Sequence, residues 1–153
     1  MKNVKSFPFL FILLFLFIGC DKDDDDSKTE TKADLIADKN WVLTGHTFQE
    51  NNGPVEDEFV NYEVCEKDDI YRFAKNGTYE VNAGATKCAS TDPQIYDQGT
   101  WSITGDNLMI NEAGSSSGDS FTIVELTKSK LVLSSTESYQ GTTDIEVVTF
   151  SKQ

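Results

Sequence analysis

The feature that most restricts what this chain can fold into is an alternation of apolar and polar residues at a period of two, broken at intervals by turn residues. Side chains at that period leave a strand on opposite faces, so each stretch can bury one face and solvate the other. Eight such stretches occupy residues 41–48, 69–75, 78–83, 98–104, 107–112, 119–127, 130–136 and 143–151. No ten-residue window among them carries the 3.6-residue period of an amphipathic helix, and only 35–40 offers a helical turn. Ten Phe, five Tyr and two Trp against three Pro suit a strand-rich globular domain rather than a disordered chain.

The connections alternate in length. Asn76-Gly77, Gly105-Asp106 and Lys128-Ser129 are hairpin-length, whereas the other four connections run to about twenty, fourteen, six and six residues. In an up-and-down meander successive turns fall at opposite ends. The tight turns therefore close one end and the long loops form a mouth at the other. Eight antiparallel strands can close on themselves, so the predicted fold is all-β: an eight-stranded antiparallel up-and-down barrel whose interior is filled by side chains or holds one small ligand. The alternation puts Trp41, Phe73, Tyr79, Trp101 and Phe121 in the barrel core, with Ile145 and Val147 on the last strand. The two Trp are expected at the closed end. Gly77 and Gly105 are expected at positive φ. His46, at a parity opposite to Trp41 in a regular strand, is expected to point outward and to be catalytically idle.

Ahead of this domain lie two segments of different character. Lys2 and Lys5 precede an unbroken apolar run over 7–18. Its 12 residues fall short of the roughly 20 needed to span a bilayer as a helix, which fits a secretory signal over 1–19. The run ends in Gly19-Cys20, which resembles a bacterial lipobox, so Cys20 is expected to be lipidated and to anchor the chain in a membrane. Residues 20–34 hold no large apolar residue and read as an acidic tether that reaches at most about 50 Å when extended. Lys22-Asp23-Asp24 resembles the surface-export signal of Bacteroidota lipoproteins. The expected location is thus the outer membrane at the cell surface, with its periplasmic face as the alternative. Residues 35–153 form the single domain.

Charge narrows the partners. The net charge is −13, and without Lys2 and Lys5 the exported part carries 11 basic and 26 acidic residues, a net of −15. Such a surface repels nucleic acid, which is excluded as a partner. One histidine and three cysteines leave no metal site of the Cys/His kind and little for a His-based triad, so no cofactor and no enzymatic activity are expected. Cys65 and Cys88, both in loops assigned to the mouth of an exported domain, suggest a disulfide worth about 3 kcal/mol, with two free buried thiols as the alternative.

A family resemblance gathers these residues. Leu35, Trp41, Cys65-Glu66-Lys67-Asp68-Asp69, Phe73, Asn76-Gly77-Thr78-Tyr79, Cys88 and Gly99-Thr100-Trp101 with Leu108 and Ile110 resemble the lipocalin-like domain of bacterial secreted lipoproteins, over about 35–152. Lys39 stands where the wider lipocalin pattern has Gly, and Lys152 where that pattern has a late Arg.

The candidate binding residues are aromatics among carboxylates. Phe59 and Tyr62 lie in the first long loop beside seven acidic residues, and Tyr96 and Tyr139 lie in later ones. Such a mouth can receive a cationic or sugar-like ligand or Ca²⁺, and the plain alternative is a solubilising surface. Two readings follow. One is a non-enzymatic lipoprotein whose barrel binds a small hydrophobic or amphipathic ligand at its mouth. The other is a packed barrel whose acidic loops contact a surface protein or glycan.

Overall fold

The structure is a computed structural model and describes residues 29–153. The expected signal segment, the lipidation site Cys20 and most of the tether lie outside the described residues. The described chain begins with α1 (Lys32–Ile36). Nine strands follow: β1 (Asn40–Glu50), β2 (Glu56–Asp57), β3 (Ile70–Phe73), β4 (Thr78–Asn82), β5 (Ile95–Thr104), β6 (Asn107–Glu112), β7 (Asp119–Leu126), β8 (Lys130–Tyr139) and β9 (Thr142–Lys152). A 3-10 turn (Glu58–Asn61) sits between β2 and β3. Eight strands run antiparallel in chain order, β1-β3-β4-β5-β6-β7-β8-β9, and β1 pairs β9 to close a barrel. The two-residue β2 adds only a flap on the upper part of β1.

The closed end is a dry, capped core. Ile36, Trp41, Leu108 and Leu131 are all at 0% exposure. Trp101 meets Phe73 edge-on with ring centroids 5.6 Å apart. Both Trp side chains spend their indole N–H on backbone, Trp41 on Ile36 O at 2.9 Å and Trp101 on Ala74 O at 2.9 Å, so neither buries an unpaired donor. Helix α1 is the plug. It starts inside the segment read as tether, because Thr31 and Asp34 form a reciprocal capping box that satisfies its first turn. Lys32 reaches Gly105 O at 3.2 Å and the Asp106 carboxylate in the β5–β6 turn. Asp38 N–H donates to Phe73 O at 2.8 Å, and Asp38 Oδ1 accepts from Lys75 N–H at 3.1 Å. Glu30 pairs with Lys128 of the β7–β8 connection at 2.8 Å. The described chain therefore begins beside all three tight turns.

Turn chemistry agrees with the sequence at that end and departs from it in detail. Gly77 has φ 85° and Gly105 φ 64°. Asn76 does not share the positive φ of a two-residue type I′ turn. Instead Ala74 N–H bonds Thr78 O and Gly77 N–H bonds Ala74 O, a three-residue loop with a glycine bulge. The larger correction is at the mouth. The six-residue loop expected over 137–142 is a two-residue hairpin, with Tyr139 paired to Thr142 and both Gln140 (φ 50°) and Gly141 (φ 91°) left-handed. The polar Ser-Thr-Glu-Ser run carried no apolar alternation to mark β8 beyond 136. Only three long connections, 51–69, 83–94 and 113–118, remain at the mouth.

Two strands bend. At Gly99 a Cβ would drive into Asn111 O and the Glu112 backbone, so only glycine lets β6 fold this tightly over β5. In β1 the register to β9 shifts between Leu43 and Gly45, which leaves Thr44 as an extra residue. That bulge reverses the parity of the rest of β1.

Candidate ligand-binding site

Above the packed floor the barrel opens into a cavity of about 230 Å³ lined by Leu43, Tyr62, Tyr71, Phe73, Tyr79, Ile110, Phe121, Leu133, Ser135, Glu146, Val148 and Phe150. The residues come from seven strands and the first mouth loop. Their polarity is graded. Toward the closed end the wall is Leu43, Phe73, Ile110, Leu133 and Phe150, with Tyr71 and Phe150 in edge contact at 4.9 Å. Toward the mouth it is Tyr62, Ser135 and Glu146. Burial pushes the Tyr71 and Tyr79 hydroxyls well above the ordinary phenol range, which keeps them neutral.

The polar side exists because of the β1 bulge. With Thr44 extra, His46 pairs with Val148 and faces inward, against the outward position expected of it. Its side chain is 14% exposed. Nδ1 lies 3.0 Å from Tyr62 Oη, and Nε2 lies 2.7 Å from Glu146 Oε1 without the alignment of a hydrogen bond. Burial first, and then the charges of Glu146, Glu66 and Glu58, push the Tyr62 hydroxyl upward. Glu146 also accepts from Ser135 Oγ at 3.3 Å. The same register turns Asp144, Glu146, Val148 and Phe150 of β9 inward. Ile145 and Val147, expected in the core, take the opposite face and only partly bury.

Two further spaces adjoin the cavity at the mouth. One of about 140 Å³ is bounded by Phe48, Ser135, Glu137, Asp144 and Glu146, and one of about 320 Å³ by His46, Glu58, Asn61, Tyr62 and Glu66. Neither lining contains Lys or Arg. Asp144 Oδ1 is buried without a hydrogen-bond partner. Across the mouth, Asp97, Glu112 and Asp119 occupy inward register positions on β5, β6 and β7. The charge of Asp97, then burial and Asp119, holds the Glu112 carboxyl above the usual carboxylate range.

The wall itself is incomplete on one side. The β7–β8 ladder runs from Leu126↔Leu131 to Thr122↔Ser134 and stops, although β8 continues to Tyr139 and β7 begins at Asp119. Phe121 and Ser135 flank this seam and both line the cavity.

Of the four aromatics picked from the sequence, the structure brings two together. Tyr62 lines the cavity, and Phe59 packs against it in a tilted pair at 5.7 Å, with Lys67 over the Phe59 ring at 5.0 Å. Tyr96 turns away and donates to the carboxylate of Asp69, which burial pushes upward. Tyr139 is 73% exposed at the β8 tip and lines no part of the cavity. The loops around them are tied down: Cys65 and Cys88 form a disulfide with Cα atoms 5.2 Å apart, and Asp68 Oδ2 accepts from Ala85 N–H, Thr86 N–H and Thr86 Oγ across the same two loops. Sequence reasoning missed His46, Tyr71, Ser135, Glu146, Val148 and Phe150. For His46 the signal was present: Gly45 inside a strand pattern marks a bulge.

A larger groove of about 690 Å³ crosses the outside of β3–β6. Its lining is mainly outward Arg72, Thr78, Glu80, Gln98, Thr100 and Asn111, and it lies more open to solvent than the interior cavity. The interior cavity is therefore the better candidate.

The sequence pattern of the lipocalin-like domain family matches residues 37–133. The chain belongs to the lipocalin-like domain family. Among solved structures it is similar to a lipocalin-like protein from Bacteroides uniformis, at 20% identity over 78% of this chain and 99% of that one, with a TM-score of 0.46. It is also similar to an uncharacterized protein from Bacteroides eggerthii, at 18% identity over 75% of this chain and 98% of the other, with a TM-score of 0.43. No curated protein gives a significant match.

Proposed function

We propose that this lipocalin-like protein is a binding lipoprotein of the outer membrane, displayed at the cell surface, whose barrel takes a small hydrophobic or amphipathic ligand at its mouth. The observation that carries this reading is the graded cavity: apolar at its floor, polar at its opening, and reached past loops fixed by a disulfide. At about 30 Å³ per water-sized group, 230 Å³ accepts a body of about eight non-hydrogen atoms, with more of the ligand projecting into the adjoining spaces. The anchor is supported by Gly19-Cys20 after a short apolar run and by Lys22-Asp23-Asp24. Because the described chain begins at the closed end, a lipid on Cys20 would leave the mouth facing away from the membrane.

Mass spectrometry of protein isolated gently from its native membrane tests the binding reading. A co-purifying small molecule that is lost when Phe121→Trp fills the cavity supports it. A barrel that carries nothing and takes up no alkyl probe argues against it. The anchor has its own test: Cys20→Ala should release the protein from the outer membrane, and unchanged partitioning would remove the lipoprotein reading.

The contact reading keeps one observation in its favour. Val55, Val60 and Val64, all in the first mouth loop, are 62%, 66% and 82% exposed, an apolar rim suited to a partner surface.

A further inference from the structure

We propose that the ligand is a cation: a primary or substituted ammonium on a short apolar body, with the ammonium held by Glu146 and the body on the apolar floor. This rests on the binding reading above and names the chemistry of the same cavity.

The cavity and its two mouth extensions hold inward Glu137, Asp144 and Glu146 on adjacent strands, and Glu58 and Glu66 at the rim. Against these carboxylates the combined lining offers a single basic side chain, His46. The Glu146 side chain is half-buried, 44% exposed, and a carboxylate partly withdrawn from water gains from a cation or further donors. Glu146 has one hydroxyl donor, Ser135, and the unaligned His46 contact, while Asp144 Oδ1 is buried with no donor at all. The protein could have satisfied these positions from its own Lys, but places its mouth-side Lys67 over Phe59 and Lys87 on Asp92 O instead. A positive group is what the lining lacks.

The surroundings suit an ammonium in two further ways. Tyr62, Tyr71 and Phe121 present rings in the same wall, and aromatic faces attract cations within about 6 Å. The opposite rim, with Asp97, Glu112 and Asp119 crowded enough to raise one carboxyl, adds a negative field that draws cations to the opening and repels fatty-acid anions. The incomplete β7–β8 seam opens beside Phe121 and Ser135, so a ligand can enter at the level of the carboxylate.

The test uses the whole chain and three probes of one length at neutral pH: octylammonium, octanol and octanoate, with affinities from calorimetry. A partly buried charge pair is worth about tenfold or more in affinity. Octylammonium is expected to bind at least about tenfold tighter than octanol, and octanoate weakest. Glu146→Gln should reduce the octylammonium-to-octanol ratio to near one. Glu125→Gln, which removes an equal charge from β7 where it pairs with Lys130, should keep it. Octanol or octanoate binding as tightly as octylammonium would overturn the cation assignment and leave the binding reading standing. A preference that survives Glu146→Gln would also overturn it, since the cation would then sit elsewhere. Failure of all three probes to bind would remove the binding reading itself.

Discussion

The two halves of this barrel obey different rules. In the closed half, inward positions are apolar, donors are paired and a helix seals the end. In the mouth half, the same strands β8, β9 and β1 turn Ser135, Glu137, Asp144, Glu146 and His46 inward. Nothing in strand geometry requires that reversal, and it costs stability, because carboxylates drawn partly out of water find few partners there. Where a fold departs from its own pattern while keeping its backbone intact, the departure points to a use other than folding.

The sharpest test of the difference is a pair of truncations. Trp41→Ala removes a fully buried indole and its bond to Ile36, and should cost about 3–5 kcal/mol in denaturant unfolding. Tyr62→Ala at the mouth should cost far less, about 1 kcal/mol. Equal losses would erase the distinction between the halves. Next in size is the disulfide. Cys65→Ser with Cys88→Ser frees a loop of sequence separation 23 and should cost about 3 kcal/mol, read as a lowered unfolding midpoint in the double variant. A variant as stable as wild type would mean that Asp68 and its three donors alone hold the two loops. Thr31→Ala removes half of the capping box on the plug and should cost about 1 kcal/mol, visible as a lower melting temperature. No change would mean that α1 rests on Ile36 and Lys32 alone.

The smallest effect concerns pH. The folded state raises the Glu112 carboxyl, chiefly through Asp97, so the fold binds that proton more readily than the unfolded chain does. Its contribution therefore grows as pH falls toward the carboxylate range and is lost as pH rises through the folded value. Glu112→Gln should stabilise the protein at neutral pH by less than about 0.5 kcal/mol, given its exposure to solvent, and flatten the rise in melting temperature on mild acidification. A destabilised variant would show that Glu112 makes a favourable contact that outweighs this repulsion.

The closed half was largely legible in the sequence. Trp41, Phe73, Trp101 and Leu108 sit on strands of regular alternation between glycine-marked turns, so period and parity agree there. The mouth was less so, for two physical reasons. A single extra residue at Thr44 inverts every later side chain of β1, and parity arguments carry no memory of it. On β9, Ile145 and Val147 share the strand with Val148 and Phe150, so apolarity marks both faces and cannot choose between them. Tyr96 and Tyr139 were reasonable aromatics in reasonable loops, but their direction depends on the Asp69 carboxylate and on a hairpin at Gln140-Gly141 that no apolar pattern announces.

The seam between β7 and β8 has a kinetic consequence. Its ladder holds only four residue pairs, against ten between β8 and β9. Strand separation should be easy along so short a ladder, which stops beside the cavity, so the barrel can breathe along this line while the plug and floor stay shut. Amide hydrogens of β7 should then exchange with solvent faster than those of β9, and a bound molecule should slow the first set without touching the second. Residence time would be set by how often four pairs part, a local rate separate from the global unfolding rate.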